Sequence, residues 1–423
     1  MIPSSGFSEE VKTKLQEYYG RDHLDSAKKR YISLSQEYTR TFGDVDCHLF
    51  SVPGRTEIGG NHTDHNLGRV LAGSVTLDAL SAAGPGNDKR VVCVSRGFDK
   101  PFEVDLTSLE VRPEEKGTTE ALIRGVAAGF RKNGCRYGGF TAVIHSDVLP
   151  GSGLSSSAVI EVTIGSILNG LFNDNRVPSL EIAKIGQFAE NTYMGKPSGL
   201  MDQIACSLGG IVAIDFHDPG NPEVEQVDFA IQDYGYVILV VDTKGHHANL
   251  IPEYASIPEE MRRAAGAFGR RNLREVDYLQ FMENIPEIRK NCGDRAVLRS
   301  LHFFQENRRV EEQVESLKKG DFTAFLGLVR DSGSSSWRLL QNISVAEDPE
   351  NQEVGIALAL TEEYIAEIGE GACRVHGGGF AGTILVFLPE AGSGEYCRRM
   401  ERIFGEGCVT TVGIRRQGAE MIL

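Results

Sequence analysis

Residues 150–158 read Pro-Gly-Ser-Gly-Leu-Ser-Ser-Ser-Ala and lie between a strand-like run (140–148) and a helical one. A glycine-rich turn feeding a helix N-terminus offers an anion unpaired backbone N–H groups and the positive end of the helix dipole. Gly151 and Gly153 let the backbone approach closely, and the hydroxyls of Ser155, Ser156 and Ser157 can reach phosphate oxygens or Mg²⁺. The segment is not a GxxxxGK[ST] loop, and Gly195-Lys196 is followed by Pro197. Nor is it a dinucleotide fingerprint, because Gly151-x-Gly153-x-x-Ser156 lacks the third glycine. Taken alone it reads either as a phosphate loop or as an ordinary capped helix start. Three more polar islands accompany it: Pro53-Gly-Arg-Thr-Glu-Ile-Gly-Gly-Asn-His-Thr-Asp-His65, Gly199-Leu-Met-Asp-Gln203 and His376-Gly-Gly-Gly-Phe-Ala-Gly382. Asp202, in its Gly-x-x-Asp-Gln turn, is set either to aim a carboxylate into a cleft or to cap a helix.

The elements that must position these islands are legible in the hydrophobic pattern. Residues 8–42 read as two helices broken near 20–25, an N-terminal helical extension. Strands are expected at 47–53, 70–80, 89–95, 102–106, 140–148, 209–216 and 236–242, with a polar loop over 54–68. Helices are expected at 118–132, 156–172 and 180–193. Residues 252–331 are mostly helical; a helix at 353–368, two strands flanking 377–379, a helix at 394–404 and a strand at 408–414 follow. A strand-rich first half and a helix-rich second half imply two α+β domains, 1–215 and 216–423. With 423 residues, each can have its own core. The formal charge of −15 argues against nucleic acid and anionic membranes as partners. No apolar stretch approaches the ~20 residues of a membrane span, and no signal peptide is visible, so a cytoplasmic location is expected. The eight cysteines show no CxxC or Cys/His cluster and read as reduced thiols.

In order and wording the four islands resemble the GHMP kinase superfamily and, within it, the galactokinases. The resemblance runs from about residue 42 to 423 and takes in Leu273-Arg-Glu-Val276 and the helix bearing His302, Glu306 and Arg308. It implies an α+β, two-domain GHMP kinase fold: an N-terminal mixed sheet with helices, then a C-terminal ferredoxin-like domain, the final strand returning to the N-terminal domain. It implies ATP and Mg²⁺, with a small-molecule sugar and a nucleotide as ligands, in a monomer or weak homodimer. Phosphoryl transfer to a hydroxyl needs positioning, charge neutralisation and a group to take or orient the hydroxyl proton. By resemblance Asp202 is that group and Arg55 lies beside it, holding it ionised and facing the phosphoryl. The ATP phosphates fall on Pro150, Gly151, Ser152, Gly153, Leu154, Ser155, Ser156, Ser157 and Ala158, with Gly378 and Gly379 shaping the nucleotide end. Ser157 and Glu190 match the Mg²⁺ ligands. Asn61, His62, Asp64 and Tyr254 fall on sugar-binding positions, Asp64 accepting from the C3 and C4 hydroxyls.

The signature departs from the family pattern, which continues from the arginine as x-Asn-x-Ile-Gly-Glu-His-x-Asp-Tyr. Here Asn61 replaces the glutamate that holds the C6 hydroxyl and His65 replaces the tyrosine, while His246-His247 stand for the usual Arg-His. Removing a carboxylate relaxes selection against a C6 carboxylate, because like charges a few ångströms apart repel strongly when desolvated. Two enzymatic readings stay open: a galactokinase, and a kinase for another galactose-configured sugar such as galacturonate or arabinose. A non-catalytic galactokinase-like sugar sensor is the reading from a different class.

Overall fold

The computed structural model of the chain describes residues 7–149, 153–245 and 250–423. Its strands are β1 (His48–Gly59), β2 (Arg69–Pro85), β3 (Arg90–Ser95), β4 (Phe102–Asp105), β5 (Phe140–Ser146) and β6 (Ile211–Asp215), followed by β7 (Glu223–Val227), β8 (Tyr236–Asp242), β9 (Ala372–His376), β10 (Thr383–Pro389), β11 (Val409–Val412) and β12 (Glu420–Met421). The chain forms two compact units. The first is Met1–Arg55, Ser74–Gly210 and Arg415–Leu423; the second is Thr56–Gly73 and Ile211–Ile414. Sequence suggested one cut near 215. Instead β1 and β2 are each shared, and residues 56–73 belong with the second unit.

In the first unit the strand order is β12-β1-β2-β5-β3-β4. β3 and β5 run parallel, whereas β2 and β5 are antiparallel, so the sheet is mixed. Helices Glu9–Tyr19 and Leu24–Phe42 cover one face, burying Leu15, Tyr31, Leu34 and Tyr38 with Leu80, Ala82 and Val143. The break between them falls at Gly20, where φ is +82°, a conformation easiest without a Cβ. Helix Thr119–Lys132 starts where Thr118 accepts from the Ala121 N–H and ends with Arg131 and Lys132 beside its C-terminal carbonyls. Helix Ser156–Asn173 begins with Ser156 and Ser157 and buries Ala158, Val159, Val162, Ile164, Ile167 and Leu168.

The second unit holds a four-stranded antiparallel sheet, order β11-β8-β10-β9. With helices Glu353–Ile368 and Glu390–Phe404 these strands make the β-α-β-β-α-β succession of a ferredoxin-like fold. Both helices pack on the sheet through Val354, Leu358, Tyr396 and Met400. Between β8 and the first of them lies a helical insertion with a separate core around Met261, Leu273, Phe281 and Phe303.

Two local expectations change, and one alternative closes. β1 runs on to Gly59, so residues 54–59 of the presumed loop at 54–68 are strand. Asp202 lies in the first turn of helix Met201–Leu208 and is not its cap. The strand Val409–Val412 pairs with β8 in the second unit, and the segment that joins the first unit is Arg415–Leu423, through β12 on β1. No helix among the described residues is long and apolar enough to cross a membrane.

Candidate active site

In the first unit the phosphate loop turns through two left-handed residues, Gly153 (φ +74°) and Ser155 (φ +61°), before its helix begins. Ser155 does not cap that helix with its side chain, and no acidic residue stands in its first turn, so among the described residues its first-turn N–H groups have no side-chain cap. Arg55 meets this turn from β1. Its backbone N–H donates to Leu154 O at 3.2 Å, and its Nη1 donates to Gly153 O at 2.6 Å. The rest of its guanidinium grips Asp202: Nε to Oδ1 at 2.7 Å and Nη2 to Oδ2 at 3.0 Å. The hydroxyl of Ser155 also donates to Asp202 Oδ2. Burial alone would push this carboxyl up, but the Arg55 charge, these donated hydrogen bonds and Lys196 outweigh it and hold Asp202 below the ordinary carboxylate range. Its side chain keeps 31% of its surface exposed, so the ionised group is within reach of a ligand.

A second carboxylate lies behind the serines. Helix Ser179–Ala189 widens into a π-helical turn, Glu190–Met194, that starts at Glu190. Glu190 Oε1 accepts from the Ser157 hydroxyl at 3.0 Å and from Lys196 Nζ at 2.8 Å. Its Oε2 accepts from Gln203 Nε2 at 3.1 Å, and the same nitrogen donates to Glu161 at 2.9 Å. Glu161 is fully buried; burial first and Glu190 second push its carboxyl well up, toward the neutral form. The described residues contain no group of three or more His, Cys, Asp or Glu side chains placed to hold a metal. Two hard oxygen donors, Ser157 and Glu190, nevertheless suit Mg²⁺, which is commonly bound by one or two protein groups with substrate phosphates and water completing the shell. Leu154 and Ala158 are buried, so only their backbones can serve a ligand, and Ser156 opens the helix. Pro150, Gly151 and Ser152 lie outside the described residues, as do His246 and His247.

The sugar signature belongs to the second unit, where three successive carbonyls of the glycine motif each accept from a signature-side group. Asn61 Nδ2 donates to Gly377 O at 2.7 Å, His62 Nε2–H to Gly378 O at 2.8 Å and the Tyr254 hydroxyl to Gly379 O at 3.2 Å. Gly379 lies so close to Asn342 O that an added Cβ would be 2.1 Å from it. Of the two glycines expected at the nucleotide end, Gly378 is thus tied through its oxygen to His62 of the signature and Gly379 to Tyr254.

Asn61 itself is fully buried and fully spent. Its second amide hydrogen goes to Glu57 Oε1 at 2.9 Å, while its Oδ1 accepts from Asn342 at 2.9 Å and Ser336 at 3.3 Å. With no donor or acceptor left over, its side chain braces the motif and offers a sugar nothing, contrary to the sequence expectation. His62, at φ +56°, keeps only Nδ1 for a ligand; burial first and His65 second depress it to about 4, so it is neutral near pH 7. Asp64 accepts from the His65 N–H at 2.8 Å through Oδ1, and its side chain is 14% exposed.

Sequence reasoning missed the brace beneath this region. Arg374 Nη2 pairs with Glu57 at 2.7 Å and its Nη1 donates to Ile58 O at 2.7 Å, all out of solvent. Glu57 stands where the family pattern has asparagine and Asn61 where it has glutamate, so the two residue types have changed places. Lys196 and Gln203 were also missed as members of the phosphate-side cluster; Gln203, directly after Asp202, carried the only local signal.

Two family models match the chain: the GHMP kinases N terminal domain over residues 121–210 and the galactokinase galactose-binding signature over residues 36–85. The galactokinase of Actinobacillus pleuropneumoniae serotype 5b (strain L20) is 30% identical over 367 residues, which is 86% of this chain and 91% of that protein. The chain belongs to the galactokinase family. Another galactokinase, from Lactococcus lactis, is 28% identical over 88% of this chain and 91% of its own. A crystal structure of Lactococcus lactis galactokinase complexed with galactose shares the fold, with a TM-score of 0.78 and 24% identity over 92% of this chain and 99% of that one. A mevalonate kinase structure follows at a TM-score of 0.60 and 15% identity over 86% and 98% of the two chains. Family membership makes the chain a sugar-kinase-type phosphotransferase, and the phosphate-side cluster described above lies largely within the segment matched by the GHMP model.

Proposed function

We propose that this galactokinase-family chain transfers the γ-phosphoryl group of ATP to the C1 hydroxyl of galactose, giving α-galactose 1-phosphate and ADP. The observation that carries this reading is the Asp202 carboxylate, partly exposed and held ionised by Arg55 and Ser155 beside the uncapped helix of the phosphate loop. A carboxylate below the ordinary range is a weak base. Its part is therefore to orient the attacking hydroxyl and to receive its proton late, as the loose transition state of phosphoryl transfer allows. Arg55 keeps Asp202 in that state and faces the phosphoryl side with its charge. The N–H groups at the start of helix Ser156–Asn173 receive phosphate oxygens. Ser157 and Glu190 would hold Mg²⁺, which when bound neutralises charge on the β- and γ-phosphates.

On the sugar side, Asp64 accepts from hydroxyls and His62 Nδ1 accepts from one more. A second reading, a kinase for a galactose-configured sugar altered or lacking at C6, is favoured by one observation: Asn61 spends every polar atom inside the protein, so nothing at that position grips C6. ADP release from MgATP with galactose, galacturonate, N-acetylgalactosamine, arabinose and glucose, with Asp202→Ala as the blank, tests both readings. Turnover with galactose alone supports the first, and turnover preferring arabinose or galacturonate supports the second. Binding of ATP and sugar without ADP release would overturn both and leave a sensor.

A further inference from the structure

One cation of the site, Lys196, has so far served only as a counter-charge to its carboxylate neighbours. Lys196 Nζ donates to the same Glu190 oxygen that receives the Ser157 hydroxyl. Its loop is anchored on both sides: the Lys196 N–H bonds Glu190 O at 3.1 Å, Ser198 N–H bonds Asn191 Oδ1 at 2.7 Å, and Gln187 Nε2 bonds Ser198 O at 3.0 Å. Gly195, at φ +75°, makes the turn that sets the direction of the lysine. Backbone and aim are fixed, yet 59% of the lysine side chain is exposed, against 2% for Glu190. The ammonium therefore sits on the open side of its partner, on a flexible stem that can swing while the loop stays put.

Resting on the kinase reading of the same site, we propose that Lys196 is a phosphate-binding residue, held on Glu190 while that carboxylate lacks a metal and turned onto phosphate oxygens once Glu190 is engaged. Glu190 Oε1 cannot serve an ammonium and a divalent cation together without strong like-charge repulsion between the two. The incoming polyphosphate offers the displaced ammonium an anionic partner at the place where it becomes free. The exchange keeps each charge paired, Glu190 with the metal and Lys196 with phosphate, and a compact point charge suits a contact that must move.

The test is calorimetric titration of ADP into wild type, Lys196→Met, Glu190→Gln and the double variant, in Mg²⁺ and in EDTA, with melting temperatures to show that each is folded. In Mg²⁺, Lys196→Met should bind ADP about tenfold more weakly than wild type, the loss of one charged hydrogen bond. In EDTA, Glu190→Gln frees the lysine and should bind ADP more tightly than wild type, and adding Lys196→Met should abolish that gain. The proposal is overturned if the Glu190→Gln gain is absent or persists in the double variant, since removal of negative charge alone would then account for it. It is equally overturned if Lys196→Met leaves MgADP affinity unchanged. Wild-type protein that binds no nucleotide would remove the kinase reading as well, whereas wild type that binds and turns over while these variants behave otherwise removes only the exchange.

Discussion

Two arginine–carboxylate pairs each draw one member from the start of the signature, Arg55 and Glu57, and differ in nearly everything else. Arg55 and Asp202, at 8% and 31% side-chain exposure, form a bidentate pair whose carboxylate still meets solvent. Arg374 and Glu57, at 0% and 6%, form a pair sealed inside the second unit. The same chemistry leaves a carboxylate open to a ligand where one partner is accessible and is architectural where neither is. Glu306 repeats the sealed pattern. Burial works against its charge, yet Arg309, His302 and Arg374 hold its carboxyl down at about 2, while it accepts from the Gly60 N–H at 3.1 Å.

The contrast is most sharply broken at Asp202. Asp202→Asn should lower kcat about a thousandfold, as loss of a proton-handling group does, with the melting temperature little changed; comparable loss of stability would place Asp202 with the sealed pairs. At Arg374 the effects should reverse. Arg374→Met takes from the buried Glu57 its Arg374 counter-charge and should cost about 3–5 kcal/mol in denaturant unfolding, while the folded fraction keeps its kcat. Adding Glu57→Gln should recover part of that loss. Asn61→Ala strips partners from Asn342 and the Gly377 carbonyl and should cost about 1–3 kcal/mol of stability. Steady-state kinetics should show the KM for sugar nearly unmoved; a large KM effect would return Asn61 to the sugar. The smallest effect is expected from Arg55→Lys, read in the pH profile of kcat/KM. The folded Asp202 pKa is depressed, so its ionised form is present above that value and lost as pH falls through it. Weakening the bidentate grip lets burial raise the pKa, and the acid limb should move to higher pH.

Much of this molecule was legible in the sequence because its signals are local. The Gly153-to-Ser157 turn, the helix that follows, the break at Gly20 and the 353–368 helix are written in neighbouring residues. Asp202, Arg55, Ser157 and Glu190 came from motif order, and the structure brings each to a partner within the first unit. What stayed hidden depends on partners far along the chain. A run as polar as 54–65 reads as a surface loop, yet Glu57 is buried against Arg374, 317 positions away. The inward turn of Asn61 is set by Ser336, Asn342 and Gly377, none of them signalled by its neighbours.

Asp78 and Arg415 are both completely buried and joined by an ion pair, with Arg415 also stacked 3.9 Å over the Tyr18 ring. A ribosome delivers these residues in order, so the first unit must wait for Arg415 while the whole of Ile211–Ile414 is made. Until then Asp78 has Arg30 as its cationic partner and β1 lacks its outer neighbour. The second unit, already synthesised, can close first. The first unit should therefore mature last, and released chains truncated before residue 415 should be more open to protease in the first unit than the full chain is.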